Sequence, residues 1–469
     1  MNPTRRQFIG QCCAAVGTTG ILSTLAQLRA TAAVTSIPSG ASPPSTAAAV
    51  PADYKALVCI FLNGGNDANN LIIPTGSAYN AYASQRGLLA LPSSNLLSVS
   101  PKTTDGRTWA LHPGVVELRT LFDSGRAALV ANVGTLVRPT TKTQYQAGIN
   151  LPPQLFSHND QQVQWQSSVS DQPFTTGWGG RMADLVDALN SNPQVSMSIS
   201  LNGFNNFEVG RNVAQYSINP TGGAIVFTGS TARSGNDFAR YTAQRDLFAG
   251  SNPNLFAAAF GTLTKDAIAS SELLNTTLAG ATAFQTVFPA SNLGNQLRMI
   301  ARLMSVSSSL NVKRQIFFAR LGGWDLHADQ VDDVDRTIGA HANLLSQISR
   351  AISAFYDATV ELGVAEQVTT FTASDFGRTY SSNGDGSDHG WGNHQFVVGG
   401  AVKGGDIYGR MPDLTISGAD DTGRGRWIPT TSVDEFGATL AAWFGVTPTN
   451  LPLAFPNIGR FAKPNLGFL

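Results

Sequence analysis

Asp67, Asp325, His327 and Asp375 each stand just beyond a short apolar run: KALVCIFL before NGGNDANN, QIFFARL before GGWDLHADQ, and VTTFTA before SDFGRT. His389 and His394, in DHGWGNH, come immediately before another such run, QFVVGG. Carboxylates and imidazoles together make a mixed oxygen and nitrogen ligand set, which suits Zn²⁺, Mn²⁺ or a related divalent ion, Ca²⁺ and Mg²⁺ included. Two neighbouring ions could clamp an ester oxygen and an attacking group.

Each of these residues also has a plainer role open to it. Asp67 could cap a turn or a helix N-terminus, and Asp325 with His327 could be a solvated pair in a loop. His389 and His394 could be surface residues of a glycine-rich loop. Asp385 and Asp388 read as turn formers, and His112 and His341 as structural. The alternate spacing of Asp325 and His327 directly after a buried strand favours ligation.

The elements that must position these groups are legible in the apolar pattern. KALVCIFL (55–62), AALVANV (127–133), QVSMSIS (194–200), QIFFARL (315–321), QVTTFTA (367–373) and QFVVGGAV (395–402) read as strands buried on both faces. Helical periodicity lies between them, in Val115, Leu118 and Phe122; in Leu293, Leu297, Ile300 and Leu303; and in Leu345, Ile348, Ile352 and Phe355. Strands separated by helices predict an α/β fold, three layers α/β/α around a mostly parallel sheet. Functional loops of such a sheet leave the carboxyl ends of its strands, so the three strand ends share one rim. Residues 201–290 break the rhythm and read as an inserted β/α region.

Composition sets the outer bounds. The chain is 42% hydrophobic and 13% charged, enough to bury a large core. Lys plus Arg and Asp plus Glu both total 31, so no basic field calls for nucleic acid. At the N-terminus, TRRQFIG pairs Arg5 with Arg6 ahead of QCCAAVGTTGILSTLAQL, which ends in small residues after Arg29. This reads as a twin-arginine export signal over 1–32, cleaved near Ala33, with the twin-arginine translocase as a transient partner and a periplasmic or secreted destination. Gln, Thr, Ser and Gly interrupt the run, so no stable membrane anchor is expected. Residues 33–52, rich in Ser, Pro and Ala, read as a flexible linker to a domain over 53–469. Cys12 and Cys13 fall in the signal, leaving Cys59 as a buried thiol without a disulfide partner.

YKALVCIFLNGGNDANNLIIP, FARLGGWDLHADQ and FTASDFGRT with DHGWGNHQFVVGGAVKGGDIYG resemble the signature blocks of the bacterial family called domain of unknown function 1501. The resemblance runs from about residue 54 to the C-terminus. It implies an alkaline phosphatase-like fold, shared with sulfatases, and a metal-dependent hydrolase of phosphate or sulfate esters acting on a small-molecule or glycan substrate. It makes Asp67 a first-strand ligand, Asp325 and His327 the pair of a second ion, Asp375 a ligand, and His389 the late histidine before a strand; His394 has no counterpart. Phe376 stands where the superfamily has His, leaving the second site a ligand short unless His389 or His394 fills it. A Ser–His pair opening a helix in LFSHNDQQVQWQ implies Ser157 as nucleophile and His158 as a metal or acid–base group, since a helix N-terminus favours an oxyanion. Ser157 could equally be an N-cap. Arg181 and Arg378 are candidates for an anionic oxygen. The alternative function is a non-catalytic relative that keeps the metal rim for structure or ligand binding.

Overall fold

The computed structural model describes residues 50–469 apart from 193, 225–229, 231–233 and 282. The expected export signal, its expected cleavage point and most of the expected linker therefore lie outside the described residues. No helix among the described residues is long and apolar enough to cross a membrane.

Ten strands form the main sheet: β1 (Lys55–Asn63), β2 (Ala127–Gly134), β3 (Ser198–Ser200), β4 (Gln215–Asn219), β5 (Gly223–Ala224), β6 (Arg314–Gly322), β7 (Val368–Ser374), β8 (Asn393–Gly399), β9 (Ile407–Tyr408) and β10 (Thr431–Ser432). Their order is β9-β2-β8-β7-β1-β6-β3-β4-β5, with β10 pairing β2 off the path. β1 is central, parallel to β7 on one side and to β6 on the other. Its side chains alternate between two cores: Ala56, Val58, Ile60 and Leu62 face one, and Leu57, Cys59 and Phe61 face the other. Burial on both faces explains why this strand reads as one apolar run.

The first core is closed by helices Val116–Asp123, Asn292–Ser305 and Ala340–Glu361, on which all the periodic residues from Leu118 to Phe355 are buried. The second is closed by helices Trp178–Val186 and Val433–Phe444, through Trp178, Met182, Phe436 and Leu440. The expected three layers around a mostly parallel sheet are thus present.

Two strands depart from the parallel expectation: β5 pairs antiparallel with β4 at the sheet edge, and β8 runs antiparallel to both β7 and β2. Its connection from β7 is a loop with no crossover helix, and a return without a crossover pairs antiparallel. The reversal matters for the site, because it brings the amino end of β8 to the same rim as the carboxyl ends of β1, β6 and β7. Within 201–290 lie β4, β5 and the helices Gly235–Ala249 and Leu255–Ala279.

Two buried acids outside the histidine cluster should give this fold a pH dependence. Burial pushes Glu208 up to about 8, against hydrogen bonds from Asn205 and Gln215, and pushes Asp434 up to about 8. A carboxyl raised on folding binds its proton more tightly in the native state, so its contribution is full below the unfolded value and is lost as pH rises through the folded one. Stability to denaturant should therefore fall between about pH 4.5 and pH 8. Glu208→Gln with Asp434→Asn should flatten that slope, and urea titrations across the window check it; an unchanged slope would assign the dependence to other groups.

Candidate metal centre

Glycines bring the strand ends together. Gly64, just past β1, has φ 121, and a Cβ there would lie 2.5 Å from the Asp325 amide nitrogen. Without a side chain, the β1 and β6 exits touch, and the Gly64 N–H donates to both Asp375 oxygens at 3.2 Å. The loop after β7 then folds on itself. Gly377 and Gly390 exchange bonds with the facing backbone, Gly390 N to Gly377 O at 2.7 Å and Gly377 N to Trp391 O at 3.0 Å, and Arg378 stands opposite His389 in an antiparallel bridge. This doubling-back carries His389 to the rim.

Helix His158–Ser167 supplies the last component. It is entered through Phe156 at φ 72, a left-handed conformation that is rare and costly for an aromatic residue.

The side chains converge on Asp325. Its Oδ1 lies 2.9 Å from His327 Nε2 and 3.2 Å from His389 Nε2, and its Oδ2 lies 3.3 Å from His158 Nε2. His327 Nε2 and His389 Nε2 are 3.0 Å apart. Ligand atoms of His158, Asp325 and His389 all fall within 4.8 Å of one another, and theirs is the converging ligand group among the described residues.

Each imidazole is held from behind by its other nitrogen. His158 Nδ1 lies 2.7 Å from Asp375 Oδ2, His389 Nδ1 lies 2.7 Å from the Phe156 carbonyl, and His327 Nδ1 lies 3.3 Å from Asp388 Oδ1. An oxygen that accepts from Nδ1–H fixes the tautomer and turns the Nε2 lone pair inward. Three Nε2 atoms and a carboxylate then face one another, a donor set that a cation between them would satisfy. His158 Nε2 is buried with no hydrogen-bond partner. Donor types and the orphaned nitrogen both fit a divalent ion.

Charges around the cluster are strongly biased. The Asp375 hydrogen bond holds His158 above the ordinary histidine range despite burial, whereas burial holds His389 below it. Burial would raise Asp325, but the hydrogen bond and charge of Arg378 outweigh it and hold the carboxyl low. Phe376 is buried, with its ring 4.7 Å from both His158 and His389, whose own rings lie 4.4 Å apart, so it walls one side of the imidazole pair.

Of the residues singled out from sequence, Asp325, His327, His389 and His158 come together. Asp375 stands one layer behind, its oxygens taken by His158, Gln162 Nε2 at 2.9 Å and Gly64. Asp67 is not at the cluster. It is buried, ion-paired to Arg86, accepts from Gln330 Nε2 at 2.6 Å and caps the Asn69 amide. His394 is not there either: it sits at a bulge between β8 and β2, where Nδ1 accepts from the Asn132 amide at 3.0 Å and burial pushes its pKa down to about 3.

Arg181 lies under the helix layer and donates to the carbonyls of Ala454, Thr176 and Ser167. Arg378 reaches the cluster, but as a buried strut between Asp325, Gly64 O and Ser387 O. Ser157 Oγ donates to Asp160 at 2.6 Å and does not cap its helix. His341 and His112 are buried, with burial pushing them to about 4 and 3.

Three groups that brace the cluster had no clear signal: Asp388, which reads as a turn former; Gln162, one turn after His158; and the Phe156 carbonyl, a backbone group that no motif marks.

No curated protein matches the chain in sequence. Among solved structures, Ps i-CgsB in complex with k-i-k-neocarrahexaose aligns at 11% identity over 87% of this chain and 77% of its own, with a TM-score of 0.34. The PsFucS1 sulfatase from Pseudoalteromonas sp. aligns at 9% identity over 85% and 69%, with 0.35. A mutant of alkaline phosphatase PafA aligns at 12% over 71% and 64%, with 0.22. Scores this low leave the architecture to be read from the chain's own sheet. Residues 54–455 match the family described as Protein of unknown function (DUF1501), and the chain belongs to that family.

Proposed function

We propose that the protein is an exported hydrolase of phosphate or sulfate esters whose site holds a divalent metal through His158, Asp325, His327 and His389. The observation that carries this reading is the inward set of three Nε2 atoms on one carboxylate, each imidazole braced at Nδ1. Bound there, the metal would supply Lewis-acid stabilisation of negative charge on an ester oxygen. Ser157 is the nucleophile: its hydroxyl is held by Asp160, which is placed to take the proton, at the start of the helix that carries His158. Asp375 and Gln162 keep the His158 ring aligned, and Phe376 packs against both the His158 and His389 rings and shields that side of the pair from water.

A non-catalytic metal-binding relative is the second reading. It is favoured by the Arg378 bond at 2.7 Å to the Asp325 oxygen that also faces His327 and His389. Protein stripped with a chelator and reloaded with Zn²⁺, Mn²⁺, Ca²⁺ or Mg²⁺ is assayed on aryl phosphate and aryl sulfate. Turnover should vanish on stripping and return with one of the ions, and Ser157→Ala should lose turnover while keeping the metal. Metal uptake without turnover of either ester would select the second reading, and turnover that survives stripping would exclude a metal-dependent hydrolase.

A further inference from the structure

Most arginines around the cluster have their donors committed. Arg378 is spent on Asp325, Gly64 and Ser387, Arg86 on Asp67, Asn70 and two carbonyls, and Arg424 on Asp388 and the Ser382 carbonyl. Arg426 differs. Its Nε donates to the His389 carbonyl at 2.8 Å, and its guanidinium carbon lies 5.0 Å from the centroid of the Phe156 ring. Neither Nη1 nor Nη2 has a hydrogen-bond or ion-pair partner among the described residues, and the side chain is half-buried.

We propose that the free fork of Arg426 is the anion subsite of this centre, taking two oxygens of the phosphate or sulfate group of the ester. The inference rests on the hydrolase reading for its substrate class, and on the geometry of Arg426 for its place.

Both anchors of the side chain border the cluster. His389 turns its Nε2 toward Asp325 while its carbonyl holds Arg426 Nε. Phe156 directly precedes Ser157. From its strained backbone it supplies both the carbonyl that orients His389 and the ring beneath the guanidinium. A strained residue that serves two neighbours of one site points to a functional constraint.

A planar guanidinium matches two oxygens of a tetrahedral oxyanion, which a point-charge ammonium does not. Stacking on an aromatic face and one pinned nitrogen hold the plane in advance, so little freedom remains to be lost on binding. Charge points the same way. Asp325 is already beside Arg378, so a divalent ion at the cluster leaves local positive charge that an oxyanion neutralises.

The test is calorimetric titration of inorganic phosphate into metal-loaded protein: parent, Arg426→Gln, Arg426→Lys, and Arg350→Gln as a charge control near Glu117 on the outer helices. Metal content is measured on the same samples. Arg426→Gln should weaken phosphate at least about tenfold with metal content unchanged, Arg426→Lys should weaken it less, and Arg350→Gln should match the parent. If the Gln variant does not fold, the Lys variant decides, because it keeps the charge and lacks the fork.

Parent-like phosphate affinity in the folded Arg426 variant would overturn the subsite, as would a parent protein that takes up no phosphate. Phosphate held through Arg426 with no ester turned over would uphold the subsite and end the hydrolase reading. Ester turnover with unchanged KM and kcat in Arg426→Gln would do the reverse.

Discussion

Asp325→Ala should lose most of the bound divalent metal and, with it, ester turnover by about a hundredfold or more. Asp325 is the carboxylate that all three inward imidazoles face, at 2.9, 3.2 and 3.3 Å. Without it, three imidazoles remain around a space that has lost its carboxylate. Arg378, almost fully buried, would lose its acidic partner in the same variant, and an unpaired buried guanidinium costs stability regardless of any metal. Asp325→Asn separates the two effects, since it keeps the volume and a hydrogen-bond acceptor for Arg378 while removing the charge. His389→Ala and His158→Ala should also lose metal, whereas His394→Ala and His341→Ala should keep it. Elemental analysis of folded variants reads this out, and parent-like metal content in Asp325→Ala would remove Asp325 from the site.

Asp67→Ala should unfold the protein more easily by about 3–5 kcal/mol while leaving metal content per folded molecule unchanged. Arg86 is fully buried and pairs with Asp67, and its remaining donors go to Asn70 and to the carbonyls of Thr379 and Tyr380. Burial by itself would raise the Asp67 carboxyl, but the Arg86 charge, His341 and the Gln330 hydrogen bond together hold it low, so the pair is ionised. Removing the acid strands a guanidinium in the core beneath the rim. Denaturant titration gives the stability loss. Loss of metal from a folded Asp67→Ala protein would instead make Asp67 a ligand, as the family resemblance implies.

That contrast shows where sequence reading reached its limit. The strand runs were legible because β1, β6 and β7 are buried on both faces, so apolarity is continuous along them, and their exits placed Asp325, His327 and Asp375 at one rim. Asp67 stands in the same kind of exit, after NGG, but its partner Arg86 lies on a helix nineteen residues further on, and nothing in the local motif announces a buried ion pair. His394 and His389 share one glycine-rich stretch. They separate only through the bulge that turns His394 onto Asn132 while the 377–391 doubling-back delivers His389. Asp388 and the Phe156 carbonyl were hidden for a different reason: they act on the far nitrogen of a histidine, and that second layer is set by tertiary approach.

The most direct test is a crystal of the protein loaded with zinc, measured at the zinc absorption edge. The arrangement of the three imidazoles predicts an anomalous peak bounded by Nε2 of His158, His327 and His389 and by Asp325, within about 2.3 Å of its nitrogen ligands. Nδ1 of the three rings should still be held by Asp375, Asp388 and Phe156. An anomalous peak beside Asp67 instead, or an Asp325 cluster without zinc and with its imidazoles turned away, would contradict the metal centre described here.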